Sequence, residues 1–378
     1  MKVALVHDYL TRLGGAERVL AAFSELWPDA KLFTLLKKPF TRESFSQEIS
    51  TSFLDQFPAK IKTSKFFVPL YPFLVERFDL SPFDVVVSSG YFSKAVLTYP
   101  DQLHINYCHT PPRFLYHYST EAPIRKSLLG KISLPLLDHK LRVWDFLSAQ
   151  RPDTIVANSE TVASRIRSIW RRNVEVVYPP VEIDPVDNNP LRSGKNSPIG
   201  KQRNHQVGYF LVVSRLETYK NVDVVIEACN RLQVPLKIVG TGSEQKDLES
   251  LAGPTTKFLG RVSDQELNSL YRRAGALIVA ASEEDFGITP VEAMSKGTPV
   301  VALRSGGFQE TVVEGKTGLF FEQPEVTILV KVLQQMDTFY CREKDCYKQA
   351  EKFSKRRFKA RFHTLVQRWW QDKRESLA

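Results

Sequence analysis

The chain has 378 residues, about two and a half times the ~150 residues of a typical domain, so its length favours two domains. Apolar residues make up 43% and charged residues 25%, which excludes an intrinsically disordered or collagen-like chain. No run approaches the roughly 18–20 apolar residues that span a bilayer, and the opening MKVALVHDY is typical of a first strand rather than a secretory signal. The 4 cysteines are too few and too scattered for a disulfide framework, so we expect a reducing, cytoplasmic location.

The net charge of +10 is unevenly distributed along the chain. Residues 342–375 hold 12 Lys or Arg and 5 Asp or Glu, which leaves +7 in this stretch. A basic surface suits nucleic acid, an anionic membrane or a phosphorylated small molecule, although a charge run is more often a solvated helix face. No nucleic-acid recognition motif accompanies the charge, so we expect no nucleic-acid partner.

Short apolar runs alternate with amphipathic segments along the whole chain. The runs are rich in Val, Ile and Leu and are bounded by Gly, Ser or Pro, which is typical of buried parallel strands. In the first half they cover residues 3–8, 84–89, 104–110, 154–159 and 174–180. In the second half they cover residues 210–216, 236–242, 257–262, 276–282, 300–306 and 318–322. The alternation predicts the α/β class, with parallel sheets covered by helices.

Three helix starts carry recognisable signals. The stretch GGAERVLAAFSELW places its large apolar residues on one helical face. Ser263 begins a capping box in SDQEL, and Thr289 begins another in TPVE, with Pro290 at the first helical position and Glu292 at the third.

A segment without apolar periodicity divides the chain into halves. Residues 184–206 are dense in Pro, Asn, Gly, Ser and Lys, which predicts a linker or surface insertion. We therefore expect an N-terminal domain over residues 1–183 and a C-terminal domain over residues 207–353, each with a doubly wound sheet. The segment 57–80 mixes phenylalanines with lysines and prolines, and two interpretations stay open. It is either a crossover packed into the core or an interfacial patch that contacts a membrane or a lipid-linked substrate.

Candidate binding residues follow the apolar runs, because ligands of open α/β sheets bind at the carboxyl ends of the strands. Gly14 and Gly15 follow the first run and precede a helix, where backbone amides favour an anion. The pattern is neither GxGxxG nor a Walker A loop, so NAD and ATP are not indicated. Arg215 and Lys220 follow a second-half run and are suited to clamp a diphosphate, although they can equally be two solvated cations.

The stretch ASEEDFGITPVEAMSKGTPVVA holds the densest set of candidates. Glu284 lies in a loop after a strand, where binding residues are commonly displayed, whereas Glu292 can be explained by its capping box alone. A Gly-Gly turn follows within residues 305–312, just before another helix. His109 also follows a strand, with Arg113 close by, and it is either a packed histidine or a catalytic one.

Two other kinds of site find no support in the sequence. Cys341 and Cys346 have no partner histidine at zinc-binding spacing, and no His, Cys and Asp cluster has the spacing of metal ligands. A G-x-S-x-G elbow is also missing, so a serine hydrolase is not indicated.

Together these motifs resemble a glycosyltransferase of family 4, the retaining two-domain GT-B type that transfers a sugar from a nucleotide-sugar. The most specific match is the E-x7-E element EDFGITPVE, followed by AMSKGTPVVA. The segments VSRL, IVGTG, FLGRVSDQEL, GLFF, CHTPPRF, IVANSETVASRI and VVYPPVE extend the resemblance over nearly the whole chain and are similar to the mannosyltransferase-like subgroup. The resemblance implies two Rossmann-like domains that face each other across a cleft, with helix 354–378 packed back on the first domain.

The resemblance also implies a role for each candidate residue. Arg215 and Lys220 match the pair that holds the donor diphosphate, Glu284 matches the acid that contacts the donor sugar, Glu292 matches the acid that binds the ribose, and His109 matches a histidine near the transferred sugar. One departure is an asparagine after the lysine, at position 221, where the family usually has glycine. The other implied donor-side positions are Gly14, Gly15, Asn158, Ser159, Gly240, Gly260, Arg261, Phe286, Gly287, Ile288, Thr289, Gly306 and Gly307.

The implied reaction breaks the bond from a sugar carbon to a phosphate oxygen, and the two cations would stabilise the charge on the departing diphosphate. No covalent nucleophile is evident, which favours attack and departure on one face of the sugar. We expect no cofactor and no metal requirement, GDP-mannose as donor, a lipid-linked or polysaccharide acceptor, and peripheral association with the inner membrane face. The alternatives are a UDP-sugar-using transferase and a catalytically silent sugar-nucleotide or membrane-surface binding protein. A GT-B epimerase or phosphorylase is less favoured, because the E-x7-E context indicates transfer and a pyridoxal phosphate lysine motif is missing.

Overall fold

The computed structural model describes residues 1–11, 14–38, 45–58, 65–116, 128–183 and 208–377, with only the backbone at residues 65–66 and 128–134. The chain forms two compact units. The first comprises Met1–Pro180 together with Lys355–Ala378, and the second comprises Val181–Ser354. The predicted linker at residues 184–206 lies outside the described residues.

The first unit is built on one parallel sheet. Its strands are β1 (Val3–Leu10), β2 (Lys31–Lys37), β3 (Ile49–Thr51), β4 (Val85–Ser89), β5 (Leu103–Cys108), β6 (Thr154–Ala157) and β7 (Glu175–Val176). Its helices up to residue 180 are α1 (Gly15–Leu26), α2 (Tyr71–Val75), α3 (Leu128–Ser148) and α4 (Glu160–Trp170). The strand order is β3-β2-β1-β4-β5-β6-β7.

The second unit is built on a second parallel sheet. Its strands are β8 (Phe210–Val213), β9 (Leu236–Val239), β10 (Thr256–Gly260), β11 (Ala276–Val279), β12 (Val300–Leu303) and β13 (Gly318–Phe321), in the order β10-β9-β8-β11-β12-β13. Its helices are α5 (Val222–Leu232), α6 (Gln245–Leu251), α7 (Asp264–Arg273), α8 (Ile288–Met294), α9 (Phe308–Thr311), α10 (Val326–Gln335) and α11 (Glu343–Glu351). The last helix, α12 (Lys355–Leu377), belongs to the first unit.

Both sheets are doubly wound, as predicted. In the first, the strand order reverses at β1, which pairs with β2 on one side and β4 on the other. In the second, it reverses at β8, which pairs with β9 and β11. Ligands of such sheets bind in the crevice at the carboxyl ends of the strands next to this reversal. Each unit therefore has one expected crevice, beside β1 and β4 or beside β8 and β11.

Each predicted apolar run overlaps a strand, and most of these parallel strands are buried on both faces. Strands β2 and β3 were not predicted. The Ser263 cap expected in SDQEL is confirmed, since Ser263 Oγ accepts a hydrogen bond from the amide of Glu266 at 3.2 Å. The capping box expected in TPVE is wrong, because α8 begins at Ile288, one residue before Thr289, and its N-cap is Gly287 with φ 87°.

Helix α12 packs its apolar face onto the core of the first unit. Phe358, Phe362, Leu365 and Val366 are buried in a cluster with residues of α1 and the first sheet. The ring of Phe362 lies 4.6 Å from that of Phe23 in α1. Basic side chains on its solvent side reach carboxylates of the same unit, including Glu25 and Glu175. The apolar face of the basic tail is thus covered by protein.

A buried ion pair ties α3 to the 3₁₀ turn after β4. Lys94 and Asp145 are fully buried, and Lys94 Nζ donates to Asp145 Oδ1 at 2.7 Å. The other carboxylate oxygen accepts from Tyr116 Oη and Trp170 Nε1, both at 2.7 Å. A buried pair whose remaining atoms are also satisfied is costly to break, so the inward face of α3 is fixed.

The described part of segment 57–80 packs mainly into the core. Residues Lys65–Leu70 form a 3₁₀ turn that leads into α2. Tyr71, Leu74 and Val75 are buried in the cluster on the α2 side of the first sheet, while Phe73 points outward. The crossover interpretation fits these residues. Residues 59–64 lie outside the described part of the chain.

Candidate functional site

The crevice of the second unit contains a short ion pair between two of the predicted residues. Lys220 ends a 3₁₀ turn after β8, and Glu284 lies in the loop after β11. Lys220 Nζ donates to Glu284 Oε2 at 2.6 Å, with the two side chains 14% and 22% exposed. This partial exposure leaves both groups accessible to a ligand. The strand reversal thus brings together two residues that are 64 positions apart.

Arg215 and Lys220 are linked by Tyr219, a residue that the sequence reasoning missed. The Arg215 guanidinium is exposed, and its Nη2 donates to Tyr219 Oη at 2.7 Å. The ammonium of Lys220 lies 4.9 Å from the centroid of the same ring. Tyr219 therefore orients both cations. Tyr219 lies between two residues predicted to bind phosphate, and this position could have identified it from the sequence.

Asn221 explains the departure from the family pattern. It has φ 49°, in the left-handed region that glycine favours and asparagine tolerates. Its Nδ2 donates to Ala280 O and Ser282 Oγ, each at 2.7 Å. The asparagine thus keeps the turn after Lys220 and fastens it to the loop that carries Glu284.

Gly306 and Gly307 let a neighbouring loop approach closely. A Cβ on Gly306 would lie 2.2 Å from Glu284 O, and one on Gly307 would lie 2.3 Å from Phe286 Cα. The Gly307 amide donates to Glu284 O at 3.0 Å. This amide already has a partner, so the packing of the Glu284 loop is one reason for the glycine pair.

Gly240 and Gly260 meet at the ends of neighbouring strands. Gly240 has φ 132°, a Cβ there would lie 1.8 Å from Ser214 O, and its amide donates to Gly260 O at 2.8 Å. Gly260 has φ 62° and open space around its Cβ position. Arg261 beside it is exposed. The loops after β8, β9 and β10 thus converge at one edge of the second sheet.

The start of α8 contains the remaining predicted residues of this unit. Phe286 is buried with its ring 5.3 Å from that of Phe353, and Ile288 and Thr289 are partly exposed. Glu292 does not cap the helix. Its Oε2 accepts a hydrogen bond from Tyr271 Oη at 2.9 Å, which fixes the carboxylate near the start of α8.

The crevice of the first unit contains His109 in a partly buried position after β5. Its Nε2 lies 2.8 Å from Ser89 Oγ at the end of β4. Burial lowers the pKa of His109 to about 3, with a smaller contribution from His7, while Glu17 acts in the opposite direction. The imidazole is therefore neutral at ordinary pH and can donate or accept a hydrogen bond.

Glu17 organises the Gly14–Gly15 turn, a role that the sequence reasoning missed. Glu17 is buried, its Oε2 accepts from the Gly14 amide at 2.8 Å, and its Oε1 lies 3.9 Å from His7 Nε2. Burial raises the pKa of Glu17, but hydrogen bonding and charge from His7 and bonds from nearby amides lower it below its usual value overall. An ionised carboxylate therefore holds the turn in place.

Asp8 and Ser159 have structural partners in the same region. The Asp8 carboxylate accepts hydrogen bonds from the amides of residues 91, 92 and 93, which caps the turn after β4. Ser159 Oγ caps α4 by accepting from the Val162 amide at 3.0 Å, and it donates to Asn158 Oδ1 at 3.2 Å. Asn158 and Ser159 are both buried, so the structure places them in the wall beneath the strand ends.

The described part of the chain has neither a metal-ligand group nor a membrane-spanning helix. Within residues 1–11, 14–38, 45–58, 65–116, 128–183 and 208–377, no three His, Cys, Asp or Glu side chains are grouped as metal ligands would be. In the same ranges no helix has the length and apolar character needed to cross a bilayer.

Residues of the second unit match a known protein family. Residues 196–353 match the family Glycosyl transferases group 1. The match lies within the second unit and includes Arg215, Lys220, Glu284 and Glu292.

Curated relatives show similarity over part of their length. The D-inositol 3-phosphate glycosyltransferase of Corynebacterium urealyticum is 26% identical over 262 residues, which is 62% of this chain and 58% of the relative. The glycogen synthase of Mycobacterium tuberculosis is 36% identical over 119 residues, 29% of each chain. The chain thus spans less than two thirds of the length of these relatives.

Solved structures are similar over nearly the whole chain. Sucrose-phosphate synthase from Thermosynechococcus elongatus gives a TM-score of 0.74 at 15% identity, covering 98% of this chain and 100% of that one. Anabaena Alr3699/HepE, solved in complex with UDP-glucose, gives 0.66 at 18% identity, covering 97% and 100%. At this level of identity the likeness concerns the fold, and it confirms the predicted class of two Rossmann-like, doubly wound domains.

Proposed function

We propose that the protein is a glycosyltransferase that moves a sugar from a nucleotide-sugar onto a glycan or lipid-linked acceptor. The observation that carries the proposal is the pair of Lys220 and Glu284 at the strand reversal of the second sheet, with Arg215 attached through Tyr219. Two cations and a carboxylate at one edge suit a ligand that joins a diphosphate to a hydroxyl-rich sugar. The family match over the same residues supports this reading.

In the proposed reaction, the bond from the anomeric carbon to the phosphate oxygen breaks and its electron pair goes to that oxygen. Arg215 and Lys220 stabilise the charge that develops there, in a place where their positions are set before the reaction. The acceptor hydroxyl bonds to the same face of the carbon, and its proton passes to the departing phosphate. Retention of configuration is part of the proposal and is tested by the anomeric form of the product.

Glu284 and His109 would contact the transferred sugar. Once the diphosphate of the nucleotide-sugar binds Lys220, the Glu284 carboxylate can accept hydrogen bonds from sugar hydroxyls. A neutral His109, held by Ser89, can hydrogen-bond a hydroxyl without placing a second charge beside it. We propose that Glu292 binds the ribose of the donor.

The donor base and sugar separate two versions of the proposal. GDP-mannose is our preferred donor, because the sequence resembles the mannosyltransferase-like subgroup. A UDP-sugar is the alternative, since a protein of similar fold was solved in complex with UDP-glucose. We further propose a cytoplasmic enzyme that associates peripherally with the membrane, where a lipid-linked acceptor would be found.

The test is a calorimetric titration with UDP, GDP and ADP, followed by measurement of donor hydrolysis with UDP-glucose and GDP-mannose. We expect one nucleotide to bind and its sugar derivative to be hydrolysed slowly. Arg215→Ala should lose most of the affinity, while Arg231→Ala, an exposed arginine at the end of α5, should bind like the wild type. Binding without hydrolysis, even when acceptors are supplied, would favour the silent binding protein. No nucleotide binding would overturn the proposal.

A further inference from the structure

Helix α3 exposes a stripe of large apolar side chains. Leu136 is 64% exposed, Val143 47%, Phe146 39% and Leu147 59%. Val143 and Leu147 lie seven and eleven positions after Leu136, so the three side chains share one helical face over about 16 Å of axis. Every other helix in the described ranges has at most one exposed large apolar residue. Single exposed leucines are ordinary, but three aligned apolar side chains with Phe146 beside them indicate a contact surface.

The stripe cannot turn inward without breaking the buried network on the other side of the helix. Asp145 is held by Lys94, Tyr116 and Trp170, and Leu141 is packed on the inward face. Rotation of α3 would leave a buried lysine without its carboxylate, which is strongly destabilising. The apolar stripe is therefore a fixed feature of the first unit.

The charges on α3 are sorted by face. Its two acids, Asp138 and Asp145, are buried. His139 and Lys140 are exposed between Leu136 and Val143, and Arg142 is partly exposed. Among the described side chains of α3, the solvent side therefore combines apolar residues with basic ones and has no carboxylate. This pattern is complementary to a bilayer surface with anionic headgroups, into which an amphipathic helix lays its apolar face.

We propose that the outer face of α3 is the surface by which the first unit docks on an anionic lipid bilayer. This inference rests on the membrane association included in the proposed function and names the surface responsible. Two other candidate membrane surfaces are less suited to this role. The apolar face of α12 is covered by the core of the first unit, and segment 57–80 packs most of its described apolar residues inward. Docking through α3 would hold the first unit next to lipid-linked acceptors.

The test measures co-sedimentation of the full chain with vesicles of phosphatidylcholine, with and without phosphatidylglycerol. We expect binding only when phosphatidylglycerol is present. The double variant Leu136→Gln/Leu147→Gln should reduce the partition coefficient by at least about tenfold, because each leucine buries its side chain in the bilayer. Both residues are exposed, so the fold should be unchanged. Lys140→Glu should weaken binding and reduce its dependence on phosphatidylglycerol.

The matched control is Leu251→Gln/Leu377→Gln, which changes two exposed leucines on other helices. It should bind vesicles like the wild type. If the α3 variant binds vesicles as well as the wild type does, α3 is not the docking surface, although the protein still associates with the membrane. No vesicle binding by the wild type would overturn both, whereas donor hydrolysis in solution tests the transferase proposal separately. A dimer of the wild type that the α3 variant dissociates, without vesicle binding, would assign the stripe to a second copy instead.

Discussion

Replacing Lys220 by methionine tests the charge at the centre of the proposed site. Methionine keeps an unbranched apolar stem and removes the ammonium, which lies 2.6 Å from Glu284 and 4.9 Å from the centroid of the Tyr219 ring. The change therefore isolates the charge from the packing of the side chain. A larger effect on catalysis than on stability is the outcome that the structure predicts.

The two effects can be estimated separately. Lys220 and Glu284 are 14% and 22% exposed. Their ion pair is therefore intermediate between a solvated pair, worth at most about 1 kcal/mol, and a buried pair, whose rupture costs about 3–5 kcal/mol. We expect a stability loss of about 1–2 kcal/mol. A preorganised group that stabilises developing charge contributes about 3–4 kcal/mol, or roughly 10²–10³ in kcat. Because the diphosphate gains charge in the transition state, kcat should fall more than donor affinity.

The assay compares initial rates and urea midpoints of four proteins. Besides the wild type and Lys220→Met, these are the double variant Lys220→Met/Glu284→Gln and the control Lys331→Met, an exposed lysine on α10. The double variant removes both charges, so it should recover stability without recovering kcat. The control should match the wild type in both measurements. Wild-type kcat in Lys220→Met, or a double variant that regains activity together with stability, would refute the charge-stabilising role.

Two further predictions concern Glu292 and the buried His104. Glu292→Gln keeps an acceptor for Tyr271 but loses the charge, so donor binding should weaken about five- to tenfold with little change in the urea midpoint, whereas Tyr271→Phe should cost about 1 kcal/mol of stability. A glutamine variant that binds donor like the wild type would leave Glu292 a purely structural role. Burial lowers the pKa of His104 to about 4, below the usual value of about 6.5, so the unfolded chain binds one more proton there between these pH values. His104 should therefore contribute up to about 1.4 kcal/mol per pH unit to the fall in the free energy of unfolding on acidification through this window, and His104→Gln should reduce the slope by that contribution in urea titrations at several pH values. An unchanged slope would contradict this assignment.

The sequence shows most strands as apolar runs, but burial alone does not decide which strands can be recognised. The central strands of both sheets are covered on both faces, so they appear as continuous apolar runs. Strand β2 contains such a run in LFTLL, but it lies between lysines rather than between the Gly, Ser or Pro residues that bounded the other runs. Strand β3 has only three residues, all partly exposed, at the sheet edge. An edge strand of this length leaves no pattern to find.

Local helix signals succeed where nothing long-range competes with them. Ser263 caps α7 through a hydrogen bond with the amide of Glu266, which belongs to the same short motif. At α8, the left-handed Gly287 starts the helix earlier than the TPVE motif indicates. Glu292 is then too far along the helix to cap it, and its carboxylate pairs with Tyr271 from a different helix. A partner 21 positions away in the chain cannot be read from a four-residue motif.

The first-unit site shows what strand order adds to strand prediction. Each strand end could be located in the sequence, but not which ends are neighbours. Because β1 pairs with β4 in a doubly wound sheet, His7 lies opposite Ser89 in register, and β5 on the far side of β4 brings His109 to Ser89. Once this strand order is assumed, the polar residues that interrupt apolar runs near their carboxyl ends become candidates at once. By that rule His7 could have been proposed from sequence, whereas Glu17 could not, because it reaches the site through the turn of Gly14 rather than through the sheet.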